Sequence, residues 1–431
     1  MKAAFYTLGC KVNKYETQIM EQRLVSAGFE IVTPDLSADV YIINSCTVTA
    51  ESDRKTRQII RKLKKLNPAA LTVLTGCFPQ SFPMEAESMD YVDVITGTRE
   101  RGIIDKIVLE AMQTGNRIVR ISEFLKNESF ESMSAINFSE RTRAFVKIED
   151  GCNRFCSYCI IPFSRGPVRS KPLNEIKDEL TGLAQKGFKE IVFVGINLSA
   201  YGKDLGLSLS DAIETAEQIE GIERIRLGSL EPNLIDEDFI ARIRPYKKLC
   251  NHFHLSLQSG CDETLKRMNR HYNTEQYKNS VNILRNAFVD CAITTDIIVG
   301  FPGETETQFA ESLEFVKQIS FAQTHVFMYS KRKGTKAADM SEQIEKSEKE
   351  RRSKIMIEAC LKNRKDFFNA HCGQTLSVLF EQCVKENEFE GFTTNYIPVK
   401  IISSQELQGS IINVTIKSID NEMCIGKTKE V

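Results

Sequence analysis

Short apolar runs alternate with longer amphipathic ones along most of this chain, and no other feature restricts its fold as much. Ala3–Thr7, Val40–Asn44, Leu71–Thr75 and Val92–Ile95 read as strands. Between them, Lys14–Ala27 repeats at helical spacing and stops at Gly28. Asp53–Leu66 places Ile59, Ile60, Leu63 and Leu66 along one helical face, with Arg54, Lys55, Arg57, Arg61, Lys62, Lys64 and Lys65 around the rest. Strands apolar on both faces and separated by helices require a parallel sheet covered on both sides. A second series has candidate strands at Phe145–Ile148, Ile191–Val194, Arg224–Leu227, Phe253–Leu257, Ile293–Val299 and Thr324–Met328. These six β/α units are too few for the usual eight-fold closed barrel, so a curved, partly open (β/α)6 barrel is expected.

The pattern changes twice more. Residues 115–140 are polar and aperiodic and read as a linker. Residues 341–368 are charged and read as helix. After Gly373, the runs Leu376–Phe380, Tyr396–Ile401 and Ile411–Ile419 are rich in β-branched residues and predict a small antiparallel β-barrel. The expected division is 1–112, a linker over 113–137, 138–367 and 368–431. No run approaches the ~20 apolar residues of a membrane helix, and the first residues lack a signal-peptide pattern, so a cytoplasmic protein is expected. In that compartment the 13 cysteines are not a disulfide framework, and clustered ones point to metal or catalysis.

One cluster is Gly151-Cys152-Asn153-Arg154-Phe155-Cys156-Ser157-Tyr158-Cys159, directly after the first expected barrel strand. Active sites of such barrels lie at strand ends. Three thiolates on a short loop suit three irons of a [4Fe–4S] cube and leave the fourth iron open. Zinc asks for four ligands, and no fourth Cys or His lies nearby. Spacing, strand-end position and Tyr158 resemble the radical SAM signature. That resemblance implies S-adenosylmethionine (SAM) chelated at the open iron and cleaved by one electron. It also makes Gly300, Pro302 and Gly303, in the loop after the strand Ile293–Val299, candidate SAM contacts. Gly426-Lys427-Thr428 is not a phosphate loop, because Asn421 stands where the first glycine belongs.

Cys10, Cys46 and Cys77 look unrelated by spacing, yet each follows an expected strand of the first sheet. In a parallel sheet those ends share one edge. The three thiols either converge on a second cluster or are ordinary buried cysteines.

With these motifs the chain resembles the methylthiotransferase family over essentially its whole length. Ile161-Pro162-Phe163-Ser164-Arg165-Gly166, Arg226-Leu227-Gly228-Ser229-Leu230-Glu231-Pro232, His254-Leu255-Ser256-Leu257-Gln258-Ser259-Gly260 and Met268-Asn269-Arg270-His271-Tyr272 extend the match. The resemblance implies two [4Fe–4S] clusters, on Cys10, Cys46 and Cys77 and on Cys152, Cys156 and Cys159. It also implies SAM contacts at Glu231 and Gln258, and a C-terminal TRAM domain that binds RNA. The segment Leu8-Gly9-Cys10-Lys11-Val12-Asn13-Lys14-Tyr15-Glu16-Thr17 is similar to the branch that acts on N6-threonylcarbamoyladenosine in tRNA, with Lys11 and Asn13 as candidate substrate contacts. Where the family has Tyr-Ala-Gln after the third cysteine, this chain has Phe78-Pro79-Gln80.

The implied partners are a tRNA anticodon stem-loop and a flavodoxin- or ferredoxin-like electron donor; the sulfur donor is not indicated. The alternatives are the branches for isopentenyladenosine tRNA or a ribosomal-protein aspartate, and an RNA-binding protein with structural metal sites. Charge does not advertise RNA, with 57 basic against 58 acidic side chains overall. From His371 onward there are five Lys against eight Asp or Glu. Phosphate contact therefore falls to the basic helix or to Lys400 and Lys417. Phe392 and Tyr396 either stack on a base or fill the C-terminal barrel. The other cysteines and the His252/His254 pair read as packing residues.

Overall fold

The computed structural model describes residues 1–125, 128–134 and 142–428. The parts of the expected linker, second domain and C-terminus at 126–127, 135–141 and 429–431 lie outside the described residues. Six parallel strands form the first sheet: Lys2–Thr7 (β1), Glu30–Val32 (β2), Val40–Ser45 (β3), Leu71–Gly76 (β4), Val94–Thr96 (β5) and Ile118–Arg120 (β6), in the order β2-β1-β3-β4-β5-β6. Helices Lys11–Ser26 and Ile104–Thr114 cover one face, and Ala50–Leu66 covers the other. The expected linker needs correction, because β6 pairs with β5 as an edge strand. Three residues flanked by polar chain leave no readable period. Beyond it, Phe130 and Met133 are also buried.

The second sheet is parallel and curved. Arg143–Lys147 (β7) pairs with Glu190–Val194, which pairs with Arg224–Leu227. Ser229–Leu230, His252–Leu255, Ala292–Val299 and Gln323–Met328 continue the arc. Its hinge is at Arg224–Leu227, where Cys250 N donates to Ile225 O at 2.9 Å. This is the expected open barrel of six units. Helices such as Leu173–Gln185, Thr274–Ala287 and Glu306–Ile319 bury one apolar stripe each against it. The charged helix, Lys346–Asn369, packs across its last strand.

The C-terminal strands Thr375–Lys385, Glu388–Thr393, Pro398–Ile402, Ile411–Asp420 and Met423–Thr428 close a barrel around Val378, Phe380, Val399 and Val414. It is not purely antiparallel as expected, since Pro398–Ile402 and Met423–Thr428 pair in parallel. Arg224 donates to Phe392 O and Ser377 O, and Arg226 to Thr393 O and Thr394 O, all at 2.9–3.1 Å. Buried guanidiniums thus fix this barrel to the larger one. Among the described residues no helix is long and apolar enough to cross a membrane.

Candidate functional site

The loop bearing Cys152, Cys156 and Cys159 leaves β7 through Glu149–Asp150 and turns at Gly151, where φ is +92°. A Cβ there would lie 1.9 Å from Pro167 O, so glycine is required. Cys152 N donates to Gly166 O and Cys159 N to Cys156 O, at 3.0 and 2.9 Å. Neighbouring strand-end segments converge on the loop. Arg270 Nη1 lies 3.3 Å from Cys156 Sγ, while its Nη2 donates to Glu231 Oε2 at 2.7 Å. Tyr158 meets Phe301 edge-on at 6.4 Å, joining the cysteine motif to the Gly-Pro loop. In that loop Gly300 N donates to Glu304 Oε2, and Glu304 pairs with Arg352. Gly300 and Gly303 leave room for Lys349 and Glu342, and Pro302 is buried. Gln258 bridges to the strand Ala292–Val299, donating to Asp296 O and accepting from Ile298 N.

The donor set fits an iron–sulfur cluster. Burial pushes the thiols of Cys152 and Cys159 up to about 11 and about 12, with Cys156 adding to both and Cys152 adding to Cys159. Such thiols give up protons when metal displaces them. Among the described residues no three His, Cys, Asp or Glu converge on a single ion, and thiolates that bind different irons of a cube need not do so. At the root of the loop, burial pushes the Glu149 carboxyl well above the usual carboxylate range, and its Oε1 has no partner among the described residues. That is an unspent polar atom beside Cys152.

Cys10, Cys46 and Cys77 share one edge of the first sheet. The register aligns Thr7 with Asn44 and Ser45 with Gly76, so the cysteines that follow are neighbours. Cys10 caps Lys11–Ser26 and Cys77 opens Cys77–Ser81. Gly9, at φ +101°, presses against Cys46, whose Cβ would lie 2.7 Å from any added Cβ. Burial pushes the Cys77 thiol up to about 12; Arg165 opposes this, while Cys46 and Cys10 add to it. Pro79 falls in the first helical turn, where no N–H is needed. Gln80 is spent structurally, accepting from Thr98 N and donating to Ser122 O.

Asn13 is fully buried beneath these cysteines. Its Nδ2 donates to Leu8 O and Ser45 O, and its Oδ1 accepts from Arg165 Nη2 at 2.6 Å. It ties the loops of Cys10 and Cys46 together, and no free atom remains for substrate. Arg165 also grips Glu16, which Lys147 and Arg101 share. Arg165 follows the barrel cysteines by six residues, so one buried charge cluster couples both cysteine sets.

Beside Cys10, at the mouth of the larger barrel, lies a cavity of about 540 Å³, within the range of small-molecule sites. Cys10 and Lys11 form one wall, the barrel strand residues His252, His254, Thr294, Asp296 and His325 another, and Tyr396 a third. Lys11 is solvent-accessible through the cavity, and its ammonium has no hydrogen-bond or ion-pair partner among the described residues. Desolvation, then Arg143 and Arg226, push it down to about 8. His252 and His254 both reach Thr294 Oγ1, at 3.1 and 3.0 Å, and His254 Nε2 lies 3.3 Å from Asp296 Oδ2. Burial pushes the Asp296 carboxyl up, but the neighbouring His254, His325 and Lys11 outweigh it and hold it below the ordinary range.

The sequence expectations for several residues change here. Tyr396 is stacked on both His252 and Phe392, 4.7 Å from each, so neither aromatic fills the core of the C-terminal barrel, and the stacking occupies Tyr396 and one face of Phe392. Lys400 is paired with Glu388 and Glu390. On the basic helix Arg57 and Lys64 are paired with Glu85 and Asp93, whereas Lys55, Arg61 and Lys65 are exposed. Cys372 and Cys383 are exposed, unlike packing cysteines. The cavity histidines were missed, although polar residues two apart on barrel strands (His252/His254, Thr294/Asp296, Gln323/His325) signal a shared inward face.

Comparisons with known proteins bear on this arrangement. Residues 146–316 match the Radical SAM superfamily and residues 2–97 an uncharacterized protein family, UPF0004. The chain is 38% identical to the threonylcarbamoyladenosine tRNA methylthiotransferase MtaB of Bacillus subtilis, over 96% of this chain and 93% of that one. It is also 38% identical to that of Aquifex aeolicus, over 96% and 100%. It is 36% identical to the tRNA-2-methylthio-N(6)-dimethylallyladenosine synthase of Clostridium tetani, over 96% and 94%. Among solved structures, the radical SAM methyltransferase TsrM of Kitasatospora setae shares the fold, with a TM-score of 0.57 and 14% identity over 78% of this chain and 75% of that one. A radical SAM domain uses SAM and a [4Fe–4S] cluster, so the chain is an enzyme with those cofactors. The chain belongs to the radical SAM methylthiotransferase family.

Proposed function

We propose that this enzyme converts N6-threonylcarbamoyladenosine to its 2-methylthio derivative at position 37 of tRNA, beside the anticodon. The observation that carries this reading is the cavity, which brings Cys10 and the unpaired Lys11 to the mouth of the radical SAM barrel. The proposed division is a methylthiotransferase domain to about residue 112, a radical SAM core over 138–367 and a TRAM-like barrel from 368. Cys152, Cys156 and Cys159 hold one four-iron cluster, and Cys10, Cys46 and Cys77 a second. When bound, the clusters and SAM supply one-electron cleavage, a carbon-centred radical and the methylthio group, chemistry suited to an unactivated C–H bond.

The chain's own residues do the rest. Arg270 places a positive charge at Cys156 and orients Glu231 beside the expected SAM site. Gln258 and the loop Gly300–Gly303 close that site from the neighbouring strand ends. Arg165 and Asn13 hold the Cys10 and Cys46 loops in fixed relation to the barrel. The exposed Lys55, Arg61 and Lys65 suit phosphates of an anticodon stem-loop. A flavodoxin- or ferredoxin-like protein is the expected electron donor, and the cytoplasm the expected compartment. A second reading, isopentenyladenosine, is favoured by the Clostridium tetani relative. It conflicts with the charged cavity wall, because an apolar substituent would offer nothing to the Lys11 ammonium or to the remaining acceptor capacity of Asp296. The test is mass spectrometry of tRNA nucleosides from a strain lacking this chain. Loss of the 2-methylthio group from threonylcarbamoyladenosine alone supports the reading; loss only from isopentenyladenosine overturns it.

A further inference from the structure

We infer that Asp296 and Lys11 form a two-pole reader for the N6 substituent: Lys11 takes its carboxylate, and Asp296 accepts hydrogen bonds from its ureido N–H or hydroxyl groups. This inference rests on the threonylcarbamoyladenosine reading of the cavity.

The geometry comes first. The two residues line one cavity from different domains, Lys11 from the start of a helix and Asp296 from a barrel strand. They are not paired with each other among the described residues, so both stay available to a ligand between them. Asp296 is held by His254 at 3.3 Å, and His254 is in turn fixed by Thr294. That backing leaves an oriented carboxylate with acceptor capacity to spare.

Purine chemistry supplies the second constraint. Carbon 2 and carbon 6 of adenine both adjoin N1, so a substituent on N6 lies within a few ångströms of the carbon to be thiolated. A group that reads the substituent must therefore sit beside the sulfur-bearing site. Lys11 adjoins Cys10 and Asp296 faces the same space. Threonylcarbamoyl offers an anion for one pole and donors for the other. Isopentenyl offers neither, and a site built to hydrogen-bond its substrate disfavours an analogue that lacks those groups.

The test uses the reconstituted holoenzyme and its Lys11→Met, Asp296→Asn and Asp296→Ala variants. Each receives tRNA with threonylcarbamoyladenosine, isopentenyladenosine or plain adenosine at position 37. Equilibrium binding and kcat/KM are measured, and iron content and 5′-deoxyadenosine formation are followed in parallel. We expect both Lys11→Met and Asp296→Ala to weaken discrimination between threonylcarbamoyl and isopentenyl substrates by ~10- to 100-fold, the range for hydrogen bonds to charged groups. Asp296→Asn, which keeps an acceptor oxygen, should retain more discrimination than Asp296→Ala. Equal losses on all three tRNAs, or an unchanged ratio, would overturn the inference, because a general structural defect moves every substrate together. Wild-type enzyme inactive on threonylcarbamoyladenosine tRNA would instead overturn the functional reading itself.

Discussion

Gly151 bends the chain at +92° with Pro167 O where a side chain would be, so its replacement tests the cysteine loop without touching a thiol. Gly151→Ala is expected to destabilise the protein by about 2 kcal/mol or more through strain and displacement. Thermal melting and iron content report it; a variant that melts and loads iron like wild type would mean the loop tolerates the shift. His252 supplies a pH dependence. Burial, then Arg226, Lys11, His254 and Arg143, hold it well below 6.5, so the folded protein keeps it neutral. The unfolded chain takes up that proton as pH falls through 6.5, so stability is full above that value and drops below it. Glu16 does not interfere in this window, because its charge partners hold it down to about 2 against the pull of burial. Between pH 7.5 and 5.5 the melting temperature of His252→Phe, which keeps a ring against Tyr396, is expected to fall less, or rise more, than that of wild type; the raised Glu149 carboxyl, which favours the folded state as pH falls, is common to both. Parallel slopes would assign the effect elsewhere.

Elements meet through the buried charge cluster. Arg165, at the end of the short helix Ile161–Arg165, binds both Asn13 and Glu16 on the helix Lys11–Ser26. Arg165→Met removes a donor from Asn13 and a cation from a buried set, at an expected ~3–5 kcal/mol. Arg165→Lys is expected to rescue only part, because an ammonium does not reproduce the planar fork. Denaturant unfolding measures both, and a wild-type midpoint for Arg165→Met would contradict the coupling. Elements with continuous apolar runs, such as Val40–Ser45 and Ala292–Val299, were legible because their pattern is their burial. Ile118–Arg120, Glu388–Thr393 and Met423–Thr428 were not, since they are short or interleave glycine and charge and owe their pairing to neighbours. The helix Lys11–Ser26 begins three residues earlier than its apolar period, directly at Cys10. Motif spacing picks out Cys152, Cys156 and Cys159, whereas strand-end position alone leaves Cys10, Cys46 and Cys77 open and the resemblance to the family makes them cluster candidates. The cavity needed three distant strands and Tyr396 to be brought together, which no local pattern records.

In the whole molecule, residues from the first sheet's domain, the larger barrel and the C-terminal barrel line one cavity, the proposed reaction space. The C-terminal barrel contributes a wall through Tyr396 as well as any RNA contact, and Arg224 and Arg226 fix it there. Replacing Cys10, Cys46 and Cys77 together by Ala is expected to halve the iron and sulfide of the reconstituted enzyme. Reductive SAM cleavage should persist and methylthio product disappear; product from that variant would remove the second cluster from the account. The central claim is tested most directly by supplying the purified, reconstituted enzyme with SAM, a reductant and two tRNAs in competition. One carries threonylcarbamoyladenosine and the other isopentenyladenosine at position 37, and mass spectrometry of the digested nucleosides reads the outcome. The expected result is methylthiolation of the threonylcarbamoyl nucleoside, with the other left nearly untouched; methylthiolation confined to isopentenyladenosine would contradict it.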